Sequence, residues 1–316
     1  MLTWTIGSGG LIGSAINSTA DDAFVGPPIP WSDPAAAAAA LREGLARLRA
    51  QAHDRPWSII WAAGAGTTSS EQVVFDAELA TFRAFLEAIA EVALEDPPLN
   101  RGVFVLISSA GGVHAGSTNA PFDKNTAPAP ISAYGRAKLT QEEIAVSTLG
   151  AQLAVVVCRV SNAYGPGQDL TKLQGLVSRL AVSTYRHEPL HLFVPLTTVR
   201  DYIFTTDIAA SVHAWVAHAR TDDETGPRVV IVASGTGTSI AELIRTASDV
   251  SHRKIPIAMT SHPSSKNQPA DSRFTPTEIP GHRTADLVNL PTGIKVVFDD
   301  IQRRIAIASD ATTNVR

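Results

Sequence analysis

The chain has 316 residues, of which 44% are apolar and 18% are charged, and its net charge at pH 7 is −4. This is an ordinary globular balance, over a length that suffices for two domains or one large one. The negative charge argues against nucleic acid or an anionic membrane as the main partner. The single cysteine, Cys158, excludes an internal disulfide framework and a cysteine-based zinc site.

The first residues predict a strand at 2–6 that starts almost at once, with neither a basic nor an apolar leader segment before it. No apolar run approaches the roughly 18 residues that a membrane-spanning helix needs. A lone cysteine fits a reducing compartment. We therefore expect a soluble cytoplasmic protein, and we assign no metal ligands.

Apolar strands and amphipathic helices alternate through the first half of the chain. Strands are predicted at 2–6, 58–63, 102–110 and 152–160, and helices at 34–51, 74–94 and 132–150. The later strands are continuous apolar runs, which is typical of a sheet buried on both faces. This order predicts an α/β fold of the Rossmann type, with a doubly wound parallel sheet and a smaller C-terminal region.

Gly7, Gly10 and Gly13 lie between the first strand and a short helix, in the segment TIGSGGLIGSAI at 5–16. Glycines let the backbone approach a pyrophosphate closely, and a helix N-terminus favours negative charge. The segment therefore predicts a dinucleotide-binding turn, although a tight turn without a ligand fits the same pattern. Such sites usually have an acidic residue about 20 residues further on, and none is well placed here. NAD and NADP both stay open.

The second half of the chain is less regular. Residues 227–248 predict a strand, a turn and a helix, and residues 261–280 predict a polar, proline-rich loop. We expect a dinucleotide-binding domain over 1–165, with later elements near 200–245 that return to it. Residues 166–316 are expected to be mainly a substrate-binding region that caps the first domain.

Tyr134 and Lys138 lie four residues apart in SAYGRAKL, on one face of the predicted helix at 132–150. A phenol has a pKa of about 10 and is a poor base at neutral pH, but a neighbouring ammonium lowers that pKa. Such a pair can take a proton from a substrate hydroxyl while hydride leaves for a nicotinamide. A surface Tyr–Lys pair is the alternative; the glycine turn and the buried strand before the pair favour catalysis.

Seven segments resemble, in this order, those of the extended short-chain dehydrogenase/reductases, in the NAD-dependent epimerase/dehydratase group that acts on nucleotide sugars. They are GSGGLIG (7–13), IIWAAG (59–64), LISSAGGVHAG (106–116), SAYGRAKL (132–139), CRVSNAYGPGQ (158–168), VRDYIFTTDIA (199–209) and VIVASGTGTSIAELI (230–244). The resemblance covers most of the chain. It implies NAD or NADP as cofactor, with NAD preferred, and a homodimer paired through the helices at 74–94 and 132–150.

The resemblance places Tyr134 and Lys138 in a catalytic group whose third member is a serine or threonine. Its usual position is Ala110 here, and a second frequent position is Gly112. The resemblance therefore leaves Ser109 as our candidate for the group that polarises the substrate oxygen. A purely structural role for this serine is the alternative.

Family members that dehydrate sugars carry Asp-Glu after the hydroxyl residue, where this chain has Gly111 and Gly112. Dehydration is therefore not expected. The resemblance implies an NAD(P)-dependent epimerase of a nucleotide sugar, acting by Tyr/Lys-assisted hydride transfer through a keto intermediate. An NAD(P)H-dependent reductase of a keto-sugar nucleotide or another carbonyl compound is the first alternative. A non-catalytic dinucleotide-binding sensor is the second, because the usual hydroxyl is missing.

The resemblance also implies the ligand contacts. The expected cofactor-binding residues are Gly7, Gly10, Leu11, Ile12, Gly13, Ala62, Ala63, Ser108, Tyr134 and Lys138. Asn162 and Arg200 are expected to meet the diphosphate of the substrate, with Arg273 as a second phosphate contact. The alternatives are a turn role for Asn162 and an ion pair of Arg200 with Asp201 or Asp207.

Overall fold

A computed structural model describes residues 1–67, 70–95, 102–171, 174–221, 226–261, 268–279 and 287–313. Its strands are β1 (Leu2–Ile6), β2 (Asp22–Ala23), β3 (Trp57–Trp61), β4 (Gly102–Ser109), β5 (Ala154–Val160), β6 (Asn162–Tyr164), β7 (Leu190–Leu192), β8 (Val199–Phe204), β9 (Arg228–Val232), β10 (Gly237–Ser239), β11 (Ile257–Met259) and β12 (Asp271–Ser272). Of the loop predicted at 261–280, residues 262–267 and 280 lie outside the described residues.

The helices in the same part of the chain number nine. They are α1 (Leu11–Ser18), α2 (Pro34–Ala52), α3 (Gln72–Glu95), α4 (Ala110–Val113), α5 (Ala133–Leu149), α6 (Leu176–Arg186), α7 (Thr205–Thr221), α8 (Ile240–Ser251) and α9 (Leu290–Thr313). None of the helices described is both long and apolar enough to cross a bilayer.

Six parallel strands form the central sheet, in the order β2-β1-β3-β4-β5-β9. The predicted Rossmann-type, doubly wound parallel sheet is therefore confirmed. The chain passes from β1 to β2 in one direction and builds the later strands in the other. A crevice thus opens between the carboxyl ends of β1 and β3, the position where such sheets bind ligands.

Helices cover both faces of this sheet. Helices α2, α3 and α5 pack on one face, and α1 and α7 pack on the other. In the alanine-rich helix α2, the buried side chains of Leu41, Leu45 and Leu48 join the core. Because these leucines recur at helical spacing, the low-complexity run forms a packed helix as predicted. Its first turn is capped by Asp33, whose carboxylate accepts from the backbone N–H of Ala35 at 3.0 Å.

Strand β2 is short, since only Asp22 and Ala23 pair with β1. The following prolines cannot donate to a sheet ladder. The chain instead leaves the sheet and lies against Trp4, whose indole occupies the space that a Cβ on Gly26 would need. Beyond these two residues, the edge of the sheet beside β1 is therefore formed by a loop.

The later elements build a second core. Strand β8 pairs with β6, β10 and β12, and α6, α8 and α9 bury Leu180, Leu243 and Phe298 together. Strand β9 returns to the central sheet beside β5. A domain boundary at residue 165 stays a prediction.

Candidate active site

The glycine turn after β1 is packed against the end of β3. Gly7 has φ +88°, and a Cβ on it would lie 2.6 Å from the backbone nitrogen of Ala63. The Gly10 N–H donates to the Gly7 carbonyl at 3.0 Å, and a Cβ on Gly13 would overlap that same carbonyl oxygen. The local backbone therefore admits glycine only at positions 7 and 13, for reasons of space and conformation.

The N-terminus of α1 presents backbone donors at this turn. Its N-cap is Gly10, which provides no capping side chain, and Leu11 and Ile12 form the first turn. Free N–H groups at a helix N-terminus, next to glycines that have no side chain to block a ligand, suit a diphosphate. Ile12 and Ala62 also pack against the core on the α1 face of the sheet. The residues present therefore fit the dinucleotide that the sequence implies.

Tyr134 lies at the start of α5, where Ser132 caps the helix by accepting from the Gly135 N–H at 3.1 Å. A Cβ on Gly112 would lie 2.9 Å from Cε1 of Tyr134 and 3.3 Å from Oγ of Ser109. The Ser109 hydroxyl accepts from the Gly112 N–H at 3.1 Å, and its hydrogen-bonding influence on the phenol acts to lower the pKa of Tyr134. The structure therefore places Ser109 beside Tyr134; its role in polarising a substrate oxygen stays a prediction.

Burial is the main influence on Tyr134 and raises its pKa; the hydrogen bond from Ser109 opposes this, and the charge of Glu78 adds to it. The net direction is opposite to the expectation that Lys138 lowers this pKa. The physical reason is that desolvation disfavours the phenolate more than the neighbouring donors favour it. The phenol is therefore held protonated.

Lys138 lies one helical turn after Tyr134 and is half-buried. Its Nζ donates to the carbonyl of Ile107 at 3.3 Å and to Oε1 of Gln141 at 3.1 Å. Burial lowers the pKa of Lys138, while the charges of Glu78 and Glu142 raise it. The Nζ also lies 4.0 Å from the point where a Cβ on Gly64 would be. The lysine is thus fixed at the end of β3, next to the glycine turn.

A buried ion pair, which the sequence motifs do not indicate, lies beneath these residues. Arg159 donates to both oxygens of Glu142, with the shortest contact at 2.7 Å. Ser108 donates to the same carboxylate, and His114 lies 3.2 Å from Nη1 of Arg159. A signal was available, because Tyr134, Lys138 and Glu142 recur every four residues on one helical face.

Ser108 is almost fully buried, and its hydroxyl is directed to Glu142. Its predicted role as a cofactor contact stays a prediction. His114 is also buried and stacks on Phe122. Desolvation, assisted by the charge of Arg159, lowers the pKa of His114 to about 4, so this imidazole is neutral at physiological pH.

Asn162 and Arg200 lie in the neighbouring strands β6 and β8. The Asn162 side chain donates to the carbonyl of Asp201 at 2.9 Å. Nη1 of Arg200 donates to the carbonyls of Val199 and Pro269, at 2.9 and 2.7 Å. The alternative ion pair of Arg200 with Asp201 is not formed, because both oxygens of that carboxylate accept from other residues.

Arg273 follows β12 and pairs with the carboxylate of Asp271 at 2.7 Å. The hydrogen bond to Arg273 is the largest cause of the lowered pKa of Asp271, and the charge of Arg200 contributes to the same shift. Asp271 therefore lies close to both guanidinium groups. Roles for Asn162, Arg200 and Arg273 in substrate binding stay predictions.

The loop YGPGQ at 164–168 is held by the last helix. Oδ2 of Asp300 accepts from the Gly167 N–H at 3.1 Å, and Arg304 donates to the Gln168 carbonyl at 2.8 Å. A Cβ on Gly293 would overlap the Tyr164 hydroxyl. Helix α9 thus holds the loop that follows β6 in place.

Comparisons with known proteins bear on the family and the fold of the chain. The model of the NAD dependent epimerase/dehydratase family matches residues 39–233. A dTDP-L-rhamnose 4-epimerase of Burkholderia thailandensis is 29% identical over 122 residues, which are 38% of this chain and 32% of that protein. A dTDP-4-dehydro-6-deoxyglucose reductase of Escherichia coli is 25% identical over 146 residues, 45% of this chain and 44% of the reductase. The matched region is less than half the length of each relative.

Among solved structures, the UDP-glucose 4-epimerase of Thermus thermophilus in complex with NAD aligns with a TM-score of 0.74. The alignment covers 96% of this chain and 99% of that one at 18% identity, a level that shows the fold alone. The family model spans more than half of the 316 residues, from α2 through β9. On this ground the chain belongs to the NAD dependent epimerase/dehydratase family.

Proposed function

We propose that the chain is an NAD(P)-dependent epimerase of a nucleotide sugar, in which Tyr134 transfers the proton that accompanies hydride transfer. The observation that carries the proposal is one set of contacts at the carboxyl end of β3. Gly7 packs on Ala63, and Nζ of Lys138 borders the next residue, Gly64. The glycine turn and the acid–base pair therefore face the same crevice.

The fit to a nicotinamide dinucleotide rests on the glycine turn and the uncapped N-terminus of α1. Gly7, Gly10, Leu11, Ile12 and Gly13 would hold its diphosphate; Ala62, Ala63, Ser108, Tyr134 and Lys138 would line its nicotinamide half. When bound, this cofactor supplies reversible hydride acceptance. We propose NAD in preference to NADP, and the NAD complex of the Thermus thermophilus epimerase supports this choice.

The side chains of the chain itself handle the proton. In the oxidation direction, Tyr134 first has to release its own proton to solvent; the phenolate oxygen then accepts the hydroxyl proton of the sugar as the sugar carbon gives up hydride. Ser109 donates to the oxygen of the resulting keto sugar. In the reduction direction, hydride returns to the opposite face of the keto carbon, and Tyr134 returns the proton to the keto oxygen. Lys138 places a positive charge one helical turn from Tyr134 and so lowers the free-energy cost of forming the Tyr134 phenolate.

Asn162 and Arg200 are proposed to bind the diphosphate of the substrate, and Arg273 to add a second contact. The donors of Arg200 are bound to backbone carbonyls, so phosphate would exchange for the Pro269 carbonyl. The epimerase relative acts on a dTDP sugar, which supports a nucleotide sugar as the substrate class. The reductase relative favours the second candidate, an NAD(P)H-dependent reductase of a keto-sugar nucleotide.

The test uses the purified chain with NAD⁺ and a panel of UDP- and dTDP-hexoses, with products identified by NMR. We expect a 4-epimer to form without net accumulation of reduced cofactor. The Tyr134→Phe variant should lose turnover and retain NAD⁺ binding. Steady consumption of NADH or NADPH with a 4-keto sugar nucleotide, without epimer formation, would establish the reductase instead. If Tyr134→Phe turns over substrate at the wild-type rate, Tyr134 is not the residue that transfers the proton.

A further inference from the structure

Glu78 is a half-buried carboxylate on α3 that neither the sequence motifs nor the proposed mechanism includes. Its Oε1 accepts from the backbone N–H groups of Ala65 and Gly66, at 2.7 and 2.9 Å. These residues follow β3 directly, in the turn that continues from Ala63 and Gly64. One side chain of α3 thus tethers the turn that borders the crevice.

The second oxygen of Glu78 faces the acid–base pair. It lies 3.7 Å from the point where a Cβ on Gly64 would be, and Nζ of Lys138 lies 4.0 Å from the same point. A carboxylate and an ammonium therefore border one small space, which stays open because residue 64 has no side chain. Across this space, the charge of Glu78 acts to raise the pKa of Lys138.

The same turn of α3 also contacts Tyr134. Phe75 precedes Glu78 by three residues, and its ring centroid lies 6.2 Å from that of Tyr134. The Phe75 ring fills the space above Gly66, where no Cβ would fit. The position of Glu78 is therefore fixed from both sides, by the turn after β3 and by the aromatic contact.

The polar and charged groups around the pair come from three helices. The Ser109 hydroxyl, at the start of α4, and Glu78, on α3, act on Tyr134. Glu78 and Glu142, the latter on α5, act on Lys138, whose Nζ is also bound to Gln141. Glu142 already shares its charge with Arg159. Glu78 forms no salt bridge among the described residues, so its negative charge is the one most directly available to the pair.

We propose that Glu78 is a positioning residue, which holds the turn at 64–66 against Lys138 and sets the charge balance of the Tyr134–Lys138 pair. Its significance for catalysis rests on the proposed function. Its negative charge raises the pKa of both groups, whereas burial lowers the pKa of Lys138 overall. Glu78 thereby favours the phenol–ammonium state, from which Tyr134 donates its proton in the reduction direction.

The test is a substrate-free titration of the full chain by NMR, with ¹³C-labelled tyrosine and lysine. The chain has four tyrosines, so Tyr134→Phe identifies the resonance of interest. Glu78→Gln keeps an oxygen acceptor for the two backbone N–H groups and removes the charge. Asp76→Asn is the matched control, because Asp76 is an exposed carboxylate on the same helix that bonds Gln72 instead.

We expect the titration midpoints of Tyr134 and Lys138 to move to lower pH in Glu78→Gln and to stay unchanged in Asp76→Asn. Unchanged midpoints in a folded Glu78→Gln variant would overturn the proposal. If Tyr134 does not titrate before unfolding, the Lys138 midpoint decides alone. An inactive wild-type chain with shifted midpoints would refute the proposed function and leave the role of Glu78 in place.

Discussion

The ring of Tyr134 lies directly over Gly112, so closely that a Cβ at this position would be 2.9 Å from Cε1 and 3.0 Å from Cδ1 of the ring. Gly112 is the position that often carries the catalytic hydroxyl in the family that the sequence resembles. In this chain the tyrosine ring occupies the space that such a side chain would need. A side chain with a hydroxyl at position 112 and the observed position of the Tyr134 ring therefore exclude each other.

Gly112→Ala should lower kcat by about tenfold or more, because even a displacement that costs about 1.4 kcal/mol in the transition state has this effect. Gly111→Ala is the matched control, since a Cβ on Gly111 meets no atom within 4 Å. Alanine also forms helix more readily than glycine, so the control should be as stable as the wild type or slightly more so. Equal activity of the two variants would show that the ring position is unimportant.

Gly7→Ala should weaken NAD⁺ binding by about tenfold or more, as measured by calorimetry. The added Cβ would lie 2.6 Å from the Ala63 nitrogen, at a φ of +88° that alanine adopts only at a cost of about 1–2 kcal/mol. Gly9→Ala provides the comparison, because a Cβ there meets no atom within 4 Å. Affinity that is equal in the two variants contradicts the assignment of the glycine turn to the cofactor.

The stability of the fold should fall as the pH drops from about 6.5 to about 4. The pKa of His114 is lowered to about 4 in the folded chain, so the unfolded chain binds the proton more readily throughout this window. The free energy of unfolding therefore rises with pH here, by up to about 3 kcal/mol from this group. Denaturant titrations at several pH values should show a smaller slope for His114→Gln. His187→Asn, at an exposed helix end, should retain the wild-type slope.

Removing one partner of the Glu142–Arg159 pair should destabilise the fold by about 3–5 kcal/mol, since an uncompensated charge then stays buried. Glu142→Gln and Arg159→Met both test this by urea unfolding, and the double variant should lose less than their sum. The exposed pair of Arg245 and Asp249 provides the control: Arg245→Met should lower the free energy of unfolding by about 1 kcal/mol or less. A loss that small for Glu142→Gln would show that the pair is not buried in solution.

Much of the first half of the fold follows from local patterns. The continuous apolar runs predict β1, β3, β4 and β5 to within two residues. The spacing of apolar residues is a property of the local sequence, so these strands can be predicted without knowledge of tertiary contacts. The length of β2 does not follow from its apolar residues, because the contact of the next segment with Trp4 decides where the pairing ends.

The candidate site is only partly predictable for a similar reason. Tyr134 and Lys138 share a helical face, and this spacing suggests a catalytic pair only together with the glycine turn and the buried strand that precede it. Glu78 lies 56 residues before Tyr134 on another helix, and nothing in its local sequence distinguishes it from the other acids of α3. Its role depends on how α3 and the turn after β3 meet. The net rise in the pKa of Tyr134 likewise depends on desolvation, which no spacing of residues encodes.

The contacts of α9 with the loop at 164–168 have a kinetic consequence. The hydrogen bonds of Gly167 and Gln168 join residues separated by 133 and 136 positions along the chain. Ordering contacts of such long range carries a large loop-closure entropy, so this region should form late in folding. The amide of Gly167 should therefore exchange with deuterium through partial opening, well before the amides of β4, whose exchange requires the central sheet to come apart.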